Sequence, residues 1–552
     1  MTEASGDEAY LAARVLDALL REDYGRIASR LTSGKDGVAV VLASGRRVRL
    51  APGSPFQDFS VADRRTASSN GRLRLAEVLD TLAEICDPAD ADGVDAFARE
   101  CREALAALWL HDRHRAEVAA RLLGRERSLV FYETLAAGVD HPVYPTSRCR
   151  LGLSDSDLLA HAPEFAPAFD LAWAAVPRDR VTASAPPPDW WPETGDIGLS
   201  ELAGTHRTLP VHPLSVPVVV GVPDVVMGRK PYLTVRPTLS MRTVEVADGT
   251  HLKLPLATST LGLRNRRSIK PDTLRDGALA ESLLRRVLTR EPVSSSPGAR
   301  VLLAGEQAYG HAGHEYLGWM IRDLPEGEIV PLAALLAPWP PQEPGPAAET
   351  SPRQAARLVL DDLARRFYGG DRLALLRDHL TTLLTWNVGL FVRYGIALEA
   401  HQQNLSLVFG DGPMRLLVKD NDGLLISPSV LRRAGLDVPA FADRRMLTDD
   451  PHALADVFVT ITLHLAAAAI AFPALGPEAA SALLREELEA ALEPYGDDPM
   501  ARLLRSRTLD SARLVGKSMV VAGTLVDKSR TGARDVNKFY GVTGPNYLRL
   551  SP

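Results

Sequence analysis

Between Leu336 and Pro346 the chain carries prolines at 338, 340, 341, 344 and 346. Neither a helix nor a central strand can run through such a stretch, because proline has no N–H to donate and its ring blocks the preceding turn. The chain must divide there. An earlier break comes at Ala185 to Pro192, where Pro186, Pro187 and Pro188 precede Trp190 and Trp191. The 552 residues are enough for several well-buried domains. The breaks and the patterns around them predict an α+β chain in three parts: helical over 1–135, strand-rich over 136–340 and mainly helical over 341–552.

The patterns are of two kinds. Leu11 to Leu31 and Val94 to Leu123 repeat apolar residues at the 3.6 spacing of amphipathic helices. Gly37 to Leu50 alternates about Ser44 and Gly45 as a hairpin does, and Val211 to Ala257 is dense in Val, Leu and Thr. Beyond the proline-rich stretch one hairpin is expected, Ser406 to Val418, turning at Gly410 to Pro413. Val457 to Leu475 approaches the length of a membrane span, but Thr460, Thr462 and His464 interrupt it and no basic anchor precedes it, which predicts a buried core helix. No internal repeat is evident.

Charge excludes one class of function. The net charge of -6, from 63 basic and 69 acidic residues dispersed along the chain, does not suit a nucleic-acid backbone. An anionic ligand must instead meet a local cluster of cations. Cys86, Cys101 and Cys149 lack metal-ligand spacing and fit a reducing compartment, and the N-terminus lacks a signal-peptide pattern. The expectation is a cytoplasmic protein with neither nucleic-acid nor membrane partners. A homodimer is left open.

Three segments could carry chemistry. Read as a strand, Thr238 to Val246 points Ser240 and Arg242 to one face. A two-residue turn at Asp248 and Gly249 would pair Val244 with Lys253, bringing Lys253 beside Arg242. Two cations on neighbouring strands suit a polyphosphate, although a solvated sheet face reads the same way. Next, Thr260 and Arg264 leave that region in a turn able to meet an anion, or simply to cap a helix. In the third, Glu399, His401 and Gln403 share a face if extended, and the hairpin returns Asp420 beside Asn404. Their oxygens suit magnesium held jointly with substrate phosphates, and His401 can reach a reacting carboxylate or phosphate. The stiff loops around His141, Arg148 and His212 read, on their own, as rigid loops with a surface histidine.

Taken in this order, the segments resemble the IucA/IucC family of siderophore synthetases, which work without a nonribosomal peptide synthetase. Its first signature appears at His141 to Gly152, with Tyr144 replacing a second histidine and Arg148 a lysine. The stretch Ala162 to Phe165 also matches a family pattern, and Pro210 to Pro213 matches another, but Leu214 and Ser215 replace its Trp-Gln. Ser240, Arg242 and Thr243 form the S-x-R-T motif and Lys253 to Pro255 the K-L-P segment. Thr260 and Arg264 meet T-S-x-x-R with the spacing from Lys253 one residue short. Glu399, His401, Gln403 and Asn404 form E-x-H-x-Q-N, and Lys419 to Gly423 stands at R-D-x-x-G.

The resemblance implies an open-hand architecture of helical thumb, strand-rich fingers and mainly helical palm, with ATP between fingers and palm. It implies that Ser240, Arg242, Thr243, Lys253 and Thr260, with Gln403, hold the nucleotide, and that Glu399, Asn404 and Asp420 serve Mg2+. It puts His401 and Arg264 where carboxylate meets α-phosphate, His141 and Arg148 nearby, and Lys517 at the acid's far end. The implied reaction is adenylation of a small carboxylic or polycarboxylic acid and its condensation with an amine, hydroxylamine or alcohol. Two alternatives stand beside it. One is a small-molecule kinase with an ATP and magnesium site, although no Gly-rich phosphate loop is present. The other is a non-catalytic binding homologue, suggested by the altered first motif.

Overall fold

Helix Gly6–Glu22 is capped by Ser5, whose hydroxyl accepts from the Glu8 N–H, and it ends at Asp23 with φ 45°. The apolar rhythm predicted a helix continuing to Leu31. It stops earlier because Gly25 and Arg26 also take positive φ, where a right-handed helix cannot continue. Gly25 lies so close to Ile85 that a Cβ there would strike its carbonyl. The chain then enters strand Leu31–Gly34, followed by the expected hairpin of Gly37–Val41 and Arg47–Pro52. Helix Ala91–Leu122 fits the second rhythm. The computed structural model describes residues 5–549 except 36, 54, 65–70, 291–299, 341–356 and 532–538.

Helix and sheet are mixed, as an α+β chain requires. A seven-stranded sheet runs Phe169–Asp170, Thr234–Pro237, Thr243–Ala247, Thr250–Lys253, Gly318–Asp323, Gly305–His311, Thr182–Ala183. The turn at Asp248 and Gly249 forms, with Ala247 opposite Thr250, but the register slips between Glu245 and Ala247. Val246 is the extra residue of this irregularity, so Lys253 pairs with Thr243 rather than with Val244. Ser240 and Arg242 are not in a strand either. They flank Met241, at φ 63°, in the turn between Thr234–Pro237 and Thr243–Ala247.

The hairpin of Leu405–Phe409 and Arg415–Val418 forms as expected. It is the centre of a larger sheet, with Val301–Leu303 parallel on one side and Glu328–Pro331 antiparallel on the other. That sheet therefore joins strands from both sides of the proline-rich stretch. Only part of that stretch is described: Pro338 bridges to Leu358, and the Trp339 N–H donates to the Arg357 carbonyl at 2.6 Å, while 341–356 lie outside the described residues. A two-stranded pair, Ile396–Ala397 with Leu425–Ile426, closes around the hairpin. It brings the loops 398–404 and 419–424 to the same end.

Pro451–Leu475 is one long helical run, with a π-helical stretch over Phe458–Ala468. Among the described residues it is the one helix long and apolar enough to cross a membrane, and it is 83% buried inside the protein. His464 is satisfied there by the Tyr547 hydroxyl at 2.7 Å and the Val515 carbonyl at 2.9 Å. A core helix is what buries such a segment at no cost in orphaned polar groups.

Candidate active site

A cavity of about 400 Å³ opens where four walls meet. Three are the His141 to Arg150 loop, the turn around Ser240 and the Thr260 to Arg267 loop; the paired loops 399–404 and 420–423 form the fourth. Of the expected site residues, His141, Arg148, Ser240, Arg242, Thr260, Glu399, His401, Gln403, Asn404, Asp420 and Lys517 line it. Thr243 faces a small adjoining pocket, which also touches Ser240, Arg242, Gln403 and Asp420. The Lys253 ammonium reaches Asp420 and lies 3.9 Å from Asp422.

The Glu399 to Asn404 segment is not extended. The His401 N–H donates to the Glu399 carbonyl at 3.0 Å and the Asn404 N–H to the His401 carbonyl at 2.9 Å, so the side chains converge through a tight turn rather than by strand alternation. The expected meeting of Asn404 with the Asp420 loop does occur, since the Lys419 N–H donates to the Asn404 carbonyl at 3.0 Å. A Cβ at Gly423 would overlap the Glu399 carboxylate, so a larger residue there would push that side chain aside.

Both lining histidines have a fixed tautomer. His401 Nδ1 accepts from the Gln403 N–H at 3.2 Å, and His141 Nδ1 accepts from Tyr144 at 3.0 Å and Val143 at 3.3 Å. The proton of each neutral ring therefore sits on Nε2, which can donate. Burial first, then neighbouring cationic groups including Lys517, push His401 down to about 4. Burial and His401 push His141 down to about 3. Each is a neutral hydrogen-bond donor at neutral pH.

Tyr144 and Arg148, the two departures in the first motif, are both held by hydrogen bonds within the protein. Tyr144 is fully buried, turned away from the cavity, and donates to Glu100 at 2.8 Å. Arg148 donates to Asp140 at 2.9 Å, to His111 Nδ1 at 2.8 Å and to the Gly138 carbonyl at 2.6 Å. Every nitrogen of its guanidinium is engaged by the protein, so at the cavity wall it braces the loop rather than presenting a free charge. Arg264 corrects the expectation more sharply, because it is not among the lining residues. Leu261 and Gly262 take positive φ and Gly262 packs onto Gly523, within 2.8 Å of where its Cβ would be. This turns Arg264 outward to the Ala522 carbonyl at 3.3 Å and toward Asp527 at 3.9 Å.

The cation facing the cavity from that loop is Arg267. Its buried Nε has no partner, and burial together with neighbouring Arg242 disfavours its charge. Arg150 also lines the cavity. Behind them runs a buried ionic chain that sequence reasoning missed. Arg322 donates to Glu306 at 2.5 Å, and Glu306 accepts the Asp420 N–H at 2.9 Å. Lys419 donates to Glu133 at 2.9 Å, and Glu133 accepts the Leu239 N–H at 2.7 Å. Glu133 thus ties the Ser240 turn to the Asp420 loop.

Glu399, Asp420 and Asp422, with their carboxylates, and Asn404, with its amide, all line the cavity. Burial and the nearby Asp420 and Glu399 charges raise the Asp422 carboxyl, whereas Lys253 and Arg322 hold Asp420 down against its burial. Among the described residues no group of three or more acidic, histidine or cysteine side chains is placed to hold a metal ion, so a metal here would depend on ligand oxygens as well. The oxygens of Glu399, Asn404 and Asp420 would suit magnesium if it were held jointly with substrate phosphates.

Residues 128–337 match the model described as the IucA / IucC family, and residues 374–522 match one described as Ferric iron reductase FhuF-like transporter. The rhizobactin siderophore biosynthesis protein RhbC of Rhizobium meliloti is 28% identical over 343 residues, which is 55% of each protein. The chain spans about half the length of the named curated synthetases it matches. Two solved structures share the fold over nearly the whole chain. The petrobactin biosynthesis protein AsbB of Bacillus anthracis has a TM-score of 0.73 at 16% identity, covering 99% of this chain and 96% of that one. The ATP-bound aerobactin synthetase IucA of Klebsiella pneumoniae has a TM-score of 0.70 at 16% identity, covering 98% and 99%. The chain thus carries an IucA / IucC family domain at residues 128–337, set in a fold shared over nearly its whole length with AsbB and IucA.

Proposed function

We propose that the chain is an ATP- and magnesium-dependent ligase that adenylates a small carboxylic or polycarboxylic acid and condenses it with an amine, hydroxylamine or alcohol in the making of a siderophore or a related metabolite. The observation that carries this reading is one cavity lined by Arg150, Arg242 and Arg267, whose buried Nε has no partner, and by Glu399, Asp420 and Asp422, with the Lys253–Asp420 ion pair in its wall. Guanidinium groups and carboxylates lining one space fit a magnesium polyphosphate, the phosphates meeting the arginines and the metal the carboxylates. The names of the curated relatives, which include aerobactin synthase and L-2,3-diaminopropanoate–citrate ligase, and the ATP-bound state of a structural neighbour support it. The open-hand arrangement, with thumb 1–135, fingers 136–340 and palm 341–552, belongs to the same proposal.

In this reaction a carboxylate oxygen of the acid attacks the α-phosphorus of ATP, forming the acyl adenylate as the α–β bridge breaks and pyrophosphate leaves. The amine nitrogen or alcohol oxygen then attacks the acyl carbon, AMP departs and one proton leaves the nucleophile. Ser240, Arg242, Thr243, Lys253, Thr260 and Gln403 would hold the nucleotide, with Arg267 taking the part expected of Arg264. Nε2–H of His401 and of His141 would donate to the reacting carboxylate and phosphate oxygens, stabilising charge as it develops. Glu399, Asn404 and Asp420 would hold magnesium, which neutralises phosphate charge when bound.

The test is nucleotide product analysis with ATP, magnesium and a panel of di- and tricarboxylates with amines or hydroxamates. AMP and pyrophosphate are expected. ADP as the sole product would overturn the reading in favour of a kinase, and a stable His401→Ala variant with unchanged turnover would remove the histidine from the mechanism.

A further inference from the structure

Helix Ala91–Leu122 carries Gly93 and Glu100 two turns apart on one face, and that face meets the segment Val521–Leu525. Gly93 lies so close to it that a Cβ would strike the Leu525 carbonyl. Glu100 is 1% exposed, and its carboxylate accepts from three hydroxyls, Tyr144 at 2.8 Å, Thr524 at 2.9 Å and Thr146. Burial raises the Glu100 carboxyl, and those three bonds oppose the rise. Among the described residues no cation pairs with it. The acid is kept in the core by hydroxyls from two distant parts of the chain.

Two of these hydroxyls lead to different walls of the large cavity. The Tyr144 N–H donates to His141 Nδ1 at 3.0 Å, so the residue that Glu100 anchors by its side chain fixes the His141 ring by its backbone. Thr524 directs its one hydroxyl proton to Glu100, which leaves its oxygen to accept from the Leu263 N–H at 3.0 Å. One residue back, the Gly523 carbonyl accepts from the Arg264 N–H at 3.1 Å. A Cβ on Gly523 would stand 3.3 Å from the Leu261 carbonyl and 3.6 Å from the Tyr144 hydroxyl. The loop that brings Thr260 and Arg267 to the cavity is therefore seated on the same carboxylate as the His141 loop. The two loops also touch at their roots, where the Leu151 N–H donates to the Ser259 carbonyl at 3.2 Å and the Thr258 hydroxyl to the Leu151 carbonyl at 2.8 Å. Glu100 governs the parts beyond those roots.

We propose that Glu100 is a positioning residue: by holding Tyr144 and Thr524 together it sets His141 against the Thr260 to Arg267 loop, and so fixes the acid relative to the nucleotide. The inference rests on the ligase reading given above. Glu100 does not line the cavity, so its loss disturbs the mutual placement of two bound reactants while each keeps its own contacts. A misplacement of about 1 Å costs up to roughly a hundredfold in rate.

The experiment compares the full chain with Glu100→Gln, which keeps the volume but puts a donor where a hydroxyl now donates, and with Tyr144→Phe, Thr524→Val and their double variant. Acid-dependent exchange of labelled pyrophosphate into ATP, with citrate and succinate as the acids, gives kcat and the KM of each substrate. It is run at a temperature where tryptophan fluorescence shows every variant folded. Glu100→Gln should lower kcat by about tenfold or more with both KM values nearly unchanged. The double variant should lose about as much as the worse of its two parents, because both substitutions cut one linkage.

An unchanged kcat in folded Glu100→Gln would overturn the proposal, and so would a rise in KM alone, which reports lost binding rather than lost placement. A double variant whose loss is the product of the two single losses would also overturn it. Should Glu100→Gln not fold, Thr524→Val is read against the same outcomes. Absence of any exchange in the unaltered chain, with every acid tried, is the separate result that overturns the ligase reading. The linkage is then read by amide hydrogen exchange: Thr524→Val should speed exchange over His141 to Arg150 as well as over Thr260 to Arg267, and acceleration confined to the second loop would refute it.

Discussion

Replacing Glu133 by alanine removes the acid that joins the Ser240 turn to the Asp420 loop. Its side chain and that of Lys419 are 2% and 6% exposed, so the substitution leaves a buried ammonium without a counter-charge and the Leu239 N–H without an acceptor. Breaking a buried pair from one side costs about 3–5 kcal/mol, and the orphaned N–H adds roughly 1–3 kcal/mol. The total is comparable with a large share of the stability of an ordinary domain, about 5–15 kcal/mol. The double variant Glu133→Leu with Lys419→Met removes both charges and keeps apolar volume, so it should recover most of the ion-pair loss and retain only the cost of the orphaned N–H. Glu133→Gln isolates the other half, keeping an acceptor for Leu239 while leaving Lys419 charged. Urea unfolding followed by tryptophan fluorescence compares the four proteins. A double variant as unstable as Glu133→Ala would refute the claim that an uncompensated charge, rather than lost packing, is the source of the damage.

Three further outcomes are expected. Arg267→Met should cut nucleotide-dependent turnover by at least roughly tenfold, from loss of a charged hydrogen bond, whereas Arg264→Met should leave the KM for ATP near its original value; the reverse order in steady-state kinetics would restore the cavity role to Arg264. Gly423→Ala should displace the Glu399 carboxylate and lower magnesium-dependent turnover by about a hundredfold with the fold retained, and wild-type magnesium dependence would show that Glu399 is not needed where it stands. Buried His379 is held down to about 4 by desolvation, below its unfolded value near 6.5. The unfolded chain therefore binds the extra proton, so this contribution is complete above about pH 6.5 and is lost as pH falls toward 4. His379→Gln should flatten the dependence of unfolding free energy on pH by about 1.4 kcal/mol per unit near pH 5, and an unaltered slope would contradict it.

Much of the fold was legible because periodicity reports burial. The Ala91–Leu122 helix, the early hairpin, the Leu405 to Val418 hairpin and the buried apolar helix all follow from residues whose pattern matches their final environment. What sequence could not show depends on backbone detail. One extra residue at Val246 moved the partner of Lys253 by one position. Positive φ at Met241 turned a presumed strand into a corner, and a Gly262 to Gly523 contact between segments far apart in the chain sent Arg264 outward. The site motifs were legible as a set. The supports behind them, Glu133, Glu306 and Arg322, were not, because an isolated charged residue in a strand or helix reads as solvated surface until its buried partner is known. Arg267 offered a faint signal: the spacing from Lys253 to Arg264 is one residue short, with further arginines at 266 and 267.

The shared sheet also imposes an order on synthesis. Among the described residues, strands Val301–Leu303 and Glu328–Pro331 pair only with Arg415–Val418 and Leu405–Phe409 respectively. As the chain leaves the ribosome, those edges wait for roughly a hundred more residues, about 5–20 s at ordinary elongation rates of about 5–20 residues per second. During that interval they are open templates for pairing with another nascent copy. Slowing translation just after Pro331 should therefore lower the soluble yield of this chain, and co-expression of a chaperone that shields strand edges should restore it.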